Sequence, residues 1–133
     1  YTPFEEDSIC LSDGDRHCYI PSTLNECLEL RKHYPDARLV AGATDVGVQA
    51  NKSQTPPKSV IVLRHIQELK SIEVTDREVS FGACVTWSEM LPICDMYLNQ
   101  FADVVRIFGS PQIRNIGTLG GNLANASPIA DSL

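Results

Sequence analysis

The sequence predicts an α+β fold built as two subdomains, and three observations carry that expectation. Residues 17–20, 38–41 and 59–63 are short strand-like runs separated by helical spacing, which predicts a small parallel βαβαβ layer. Near position 70 the pattern switches to a mixed α+β one, because residues 71–74 and 78–81 flank Thr75, Asp76 and Arg77 as the arms of a hairpin. The chain of 133 residues is 43% hydrophobic and 21% charged, which suits a packed core rather than a disordered tail.

Taken in order, residues 1–16 are acidic with an Asp13-Gly14 turn signal, and read as a lead-in or linker. The strand of residues 17–20 stops at Pro21. Thr23 and Glu26 fit a capping box, Leu24, Cys27, Leu28 and Arg31 follow helical spacing, and Pro35 ends the helix. Strand 38–41 runs into Gly42, and a helical segment follows from Thr44 to about Asn51. A proline loop over 53–58 precedes the continuous apolar run 59–63, as expected for a strand covered on both faces. After the hairpin, a helix runs from Thr86 to about Leu98, with Pro92 expected to bend or divide it. A short helix covers 101–108, and residues 109–131 show no clean periodicity. The expected division is a linker (1–16), a first subdomain (17–70) and a second, incomplete one (71–133).

Several function classes drop out. The net charge is −6 and the eleven Lys and Arg are scattered, so nucleic acid is not an expected partner. No apolar run approaches the ~18 residues needed to span a bilayer, and no basic-then-apolar leader opens the sequence. The five cysteines at 10, 18, 27, 84 and 94 form no C-x-x-C pair, and read as free thiols in a reducing, cytoplasmic setting. His17, His33 and His65 are isolated and give no metal-ligand spacing. Trp87, near a helix start, reads as a core or cap residue.

Two glycine-bearing segments carry the candidate chemistry. In the first, L-V-A-G-A-T-D-V-G, a strand turns at Gly42 into a helix start. Backbone N–H groups at such a start, with the helix dipole behind them, suit a phosphate or pyrophosphate. The segment holds neither G-x-G-x-x-G nor G-K-[ST], so it is neither the Rossmann fingerprint nor a Walker loop. An ordinary strand-to-helix turn, with Thr44 as a simple cap, stays open, and Asp45 counts mildly against a pyrophosphate. The second segment, F-G-S-P-Q-I-R-N-I-G-T-L-G-G-N, crowds Gly117, Gly120 and Gly121 among Thr118, Leu119 and Asn122. Such a run makes sense where backbone approaches a flat or charged ligand closely. Ile113, Ile116, Leu119 and Leu123 argue against a free surface loop. Asp131 follows as a possible acceptor from a ribose hydroxyl or a ligand N–H.

Together, L-V-A-G-A-T-D-V-G and F-G-x-x-Q-I-R-N-I-G-T-L-G-G-N-L-A-N-A-S-P-I-A-D make the chain resemble the flavin domain of the xanthine dehydrogenase family, from about Cys18 onward. The resemblance implies a fold of the p-cresol methylhydroxylase/vanillyl-alcohol oxidase type, with FAD lying between two α+β subdomains. It implies FAD contacts at Leu39, Val40, Ala41, Gly42, Ala43, Thr44, Asp45 and Val46, chiefly through backbone N–H groups. It implies others at Phe108, Thr118, Leu119, Gly120, Gly121, Asn122 and Asp131, and no ligand role for Arg114 or Asn115. No catalytic side chain and no metal ligand is implied. The family relays electrons from a molybdopterin-binding large subunit, through [2Fe-2S] clusters in an upstream iron–sulfur domain, to FAD and on to NAD+ during purine oxidation. The related flavin subunits of carbon monoxide dehydrogenases and aromatic-thioester reductases share the glycine pattern. A peptidoglycan-precursor reductase of the same fold, or a non-enzymatic interaction module, are the competing expectations. Against the family pattern the chain reads as a fragment lacking a closing subdomain, expected to hold FAD weakly or not at all.

Overall fold

The computed structural model describes residues 8–52 and 56–125. The first unit is a four-stranded sheet made by β1 (Ile9–Asp13), β2 (Arg16–Ile20), β3 (Arg38–Val40) and β4 (Ser59–Val62), in the order β1-β2-β4-β3. The last three are parallel, with Tyr19 and Leu39 both in register with Ile61. The expected βαβαβ unit is therefore present. Its connections are α1 (Leu24–His33) and α2 (Thr44–Lys52). The most apolar strand, β4, takes the middle of the parallel set, and its Ile61 is 0% exposed.

Residues 9–13, read from sequence as part of a lead-in, instead form the edge strand β1. It hairpins onto β2 through Gly14, whose φ of +59° is the left-handed conformation a tight turn requires. All five β1 residues are exposed, so this strand adds hydrogen bonds rather than core.

Helix α1 differs in two details. Thr23 caps it by accepting from the Glu26 amide at 3.3 Å. Glu26 does not complete the box, because its carboxylate turns to the Ser22 amide (3.1 Å) and the Ser8 hydroxyl. The buried side chains of α1 are Cys27 and Leu30, whereas Leu28 is 50% exposed. Leu30 replaces Leu28 because β4 meets α1 on the Cys27–Leu30 face. These residues, with Tyr19, Ala37, Ile61 and Ile66, form the first core, and Tyr34 stacks on Tyr19 at 4.6 Å.

The second unit opens with a 3₁₀ turn (Gln67–Lys70) and the expected hairpin of β5 (Ile72–Val74) and β6 (Val79–Phe81). Helices α3 (Trp87–Tyr97) and α4 (Asn99–Ile107) follow. Thr86 and Glu89 make a full capping box for α3. Pro92 lies inside α3 without dividing it, since the only bond it forgoes is one to the Ser88 carbonyl. Val85, Trp87, Met90, Cys94, Ala102 and Val105 form the second core.

The glycine-rich stretch, expected to lack regular structure, holds two short helices, α5 (Pro111–Ile116) and α6 (Leu119–Asn125). Ser110 caps α5 by accepting from the Ile113 amide at 3.3 Å, with Pro111 in the first turn. Thr118 opens α6, its hydroxyl accepting from the Gly121 amide at 3.1 Å. Glycines are poor helix formers, and here close packing against neighbouring backbone outweighs that propensity.

A cleft between the two glycine segments

The two segments meet back to back. A Cβ on Gly42 would lie 1.9 Å from the Ile116 carbonyl oxygen, so the turn after β3 closes against the end of α5 only because position 42 has no side chain. Gly120 plays the same part for α6, where a Cβ would come within 2.6 Å of the Ala83 Cβ. The amides of Leu119 and Gly120 donate to the carbonyls of Val85 (3.1 Å) and Ala83 (3.0 Å), and Thr86 and Thr118 form a β-bridge. Gly120 thus serves close packing on Ala83, while Gly120 and Gly121 also line the cleft that opens beside it.

Beside this junction opens a cleft of about 790 Å³, within the usual span of small-molecule sites. One wall is the turn and start of α2, with Leu39, Ala41, Gly42, Ala43, Thr44, Asp45 and Val46. The other is Phe108, Thr118, Gly120, Gly121 and Asn122. Of the remaining expected residues, Val40 is buried in the sheet and Leu119 packs on the second core, so neither lines the cleft. Asp131 lies outside the described residues.

The two helix starts differ in what they offer an anion. At α6 the amides of Leu119, Gly120 and Gly121 already have protein acceptors. At α2 the first intrahelical bond is from Gly47 to the Ala43 carbonyl (2.7 Å), which leaves the amides of Thr44, Asp45 and Val46 without an acceptor among the described residues. Ala43, which leads into them, has φ 60°, a left-handed conformation that costs an alanine about 1 kcal/mol and that concentrates at ligand-holding turns. Of the two helix starts, that of α2 is the one with amides open to an anion. Asp45 and Arg38 also line the cleft, and the Arg38 guanidinium donates to the Gln49 side chain at 3.4 Å.

Sequence reading passed over several lining residues, namely Arg38, Cys84, Gly109 and Ile113, and gave Trp87 a packing role ahead of shielding a flavin. Trp87 and Phe108 form a tilted aromatic pair with ring centroids 4.5 Å apart. Arg114 holds this end in place: its Nη1 donates to the carbonyls of Phe108 (2.9 Å) and Gly109 (2.8 Å). Gly109 itself has φ +54°. Burial pushes the Cys84 thiol above its ordinary range, with Lys70 opposing weakly, and the thiol donates to the Leu63 carbonyl at 3.7 Å. Glu89 is held below the ordinary carboxylate range by the Thr86 amide it accepts from. No metal-binding grouping of His, Cys, Asp or Glu occurs among the described residues.

The features of this cleft fit a flavin dinucleotide: a helix start with open amides, apolar walls, and a volume in the range of cofactor sites. Residues 12–133 match the family described as "FAD binding domain in molybdopterin dehydrogenase". The chain belongs to that family. It is 34% identical to the xanthine dehydrogenase/oxidase of Gallus gallus, over 96% of this chain and 10% of that protein. It is 32% identical to the nicotinate dehydrogenase FAD-subunit of Eubacterium barkeri, over 90% of this chain and 42% of that one. Its fold matches the reconstituted CO dehydrogenase from Oligotropha carboxidovorans with a TM-score of 0.81 and 26% identity, over 92% of this chain and 44% of that chain. The chain thus spans about a tenth of the first relative and less than half of the flavin subunit.

Proposed function

We propose that the cleft holds FAD and that the chain is the flavin step of a xanthine dehydrogenase-like molybdenum hydroxylase, carrying electrons from purine oxidation toward NAD+. The observation that carries the reading is the set of open amides at Thr44, Asp45 and Val46 on the wall of a 790 Å³ cleft. Those three N–H groups take the pyrophosphate, with the α2 dipole behind them. Leu39, Ala41, Gly42 and Ala43 shape that wall, while Phe108, Thr118, Gly120, Gly121 and Asn122 face it from the other side. Val40 and Leu119 support the walls from behind, and Asp131 accepts from a hydroxyl of the cofactor. Bound FAD supplies the exchange between one-electron and two-electron chemistry that such a relay needs. The protein's own work is to bind, orient and exclude water, and none of these side chains acts as nucleophile or general acid.

The partners implied are an upstream iron–sulfur domain, a molybdopterin-binding large subunit and NAD+, in the cytoplasm. No helix among the described residues is long and apolar enough to cross a membrane. The nicotinate dehydrogenase relative and the CO dehydrogenase fold match favour a second reading, in which the chain serves a molybdenum hydroxylase of another substrate. The intact complex carrying this chain separates the two when supplied in turn with xanthine, nicotinate and carbon monoxide. NADH formation with xanthine supports the purine reading, and turnover only with another substrate would replace it.

A further inference from the structure

Trp87 is 2% exposed, and its indole N–H has no hydrogen-bond acceptor among the described residues. The small exposed part of the side chain includes that nitrogen, since among the described residues Glu26 Oε1 is the only fully buried side-chain N or O atom left without a partner. What Trp87 does have is a place on the cleft wall. Its Cδ1 and Nε1 lie 3.3 and 3.4 Å from where a Cβ of Gly117 would be, so the pyrrole edge of the indole reaches the cleft through space that glycine leaves open. Its ring packs against Phe108, itself held by Arg114, so the donor is fixed beside a flat apolar surface. We infer that Trp87 is a ligand-contacting residue of this cleft, donating its indole N–H to an in-plane acceptor of an aromatic ring of the cofactor that lies against Phe108. The inference rests on the FAD reading. It adds a polar, orientation-fixing contact beside the Phe108 ring. Both the adenine, through a ring nitrogen, and the isoalloxazine, through a carbonyl oxygen, present such an acceptor.

Trp87 is the sole tryptophan of the chain, so its indole N–H gives one resonance in a proton–nitrogen correlation spectrum. Titration with FAD is expected to move that resonance downfield and slow its exchange with water. Parallel titrations with ADP and with FMN identify which ring supplies the acceptor, since only one of them reproduces the shift. The W87F variant keeps an aromatic ring against Phe108 and removes the N–H, and is expected to bind FAD about 5- to 30-fold more weakly. If the amides of Thr44, Asp45 and Val46 respond to FAD while the indole resonance stays still and W87F binds like the parent, the Trp87 contact is overturned and the FAD reading stands. If neither the amides nor the indole respond to FAD, the FAD reading falls, and this inference with it.

Discussion

Replacing Gly42 with alanine tests how the two halves of the site are joined. The new Cβ would sit 1.9 Å from the Ile116 carbonyl oxygen and 2.7 Å from its carbon. Both obstacles are backbone at the end of α5, so no side chain can rotate away, and the contact must open by about 1 Å to reach the 3.0 Å that real Cβ atoms respect. Moving α5 also disturbs the bond from the Trp87 amide to the Gly117 carbonyl (3.2 Å). Overpacking of this kind costs about 3 kcal/mol, the upper part of its usual range. For a domain of this size that lowers Tm by roughly 10 °C. The control is Gly47, five residues on and inside α2, where a Cβ meets nothing within 4 Å. G47A is expected to raise stability by up to about 1 kcal/mol, as alanine is the better helix former. Urea and thermal melts of both variants read the difference. A G42A chain as stable as G47A would refute the close approach of the two segments.

Other expectations follow from single features. Removing the α3 cap with T86A costs about 1 kcal/mol in urea unfolding. Glu89 is held below the ordinary carboxylate range, so its contribution is present above that range and fades as pH falls through the lowered value. E89Q should therefore be less stable than the parent at neutral pH, and the two should converge once the pH falls below the lowered value. At Ala43, with φ 60°, A43G is expected to match or exceed the parent by up to about 1 kcal/mol, whereas A43V loses at least that much. Intact-mass analysis after alkylation should show Cys10 labelled first and Cys27, Cys84 and Cys94 protected until the chain unfolds, because only the first is exposed.

The parallel layer was legible because β4 is a continuous apolar run and each helix is bounded by a Pro or Gly. Edge strand β1 was hidden: none of its residues is buried, so it carries no burial pattern to read, and only the Asp13-Gly14 turn hinted at it. Leu28 looked like part of a stripe, but which face of α1 meets the sheet is a tertiary matter. The site was readable as two segments that converge, and they do converge. The role of the glycines was not, because a missing side chain can admit either a ligand or another backbone. For Gly42 and Gly120 the neighbour is Ile116 or Ala83, far away in sequence. Trp87 was read as a packing residue ahead of a flavin shield for the same reason, since its place on the cleft depends on Gly117 and Phe108.

The central claim is that FAD binds with its pyrophosphate on the start of α2. Amide chemical-shift mapping of the chain titrated with excess FAD tests it most directly. The account predicts the largest shifts at Thr44, Asp45 and Val46, with the Leu119 and Gly120 amides, already bonded to Val85 and Ala83, moving little. The largest shifts at α6, or none along α2, would contradict it.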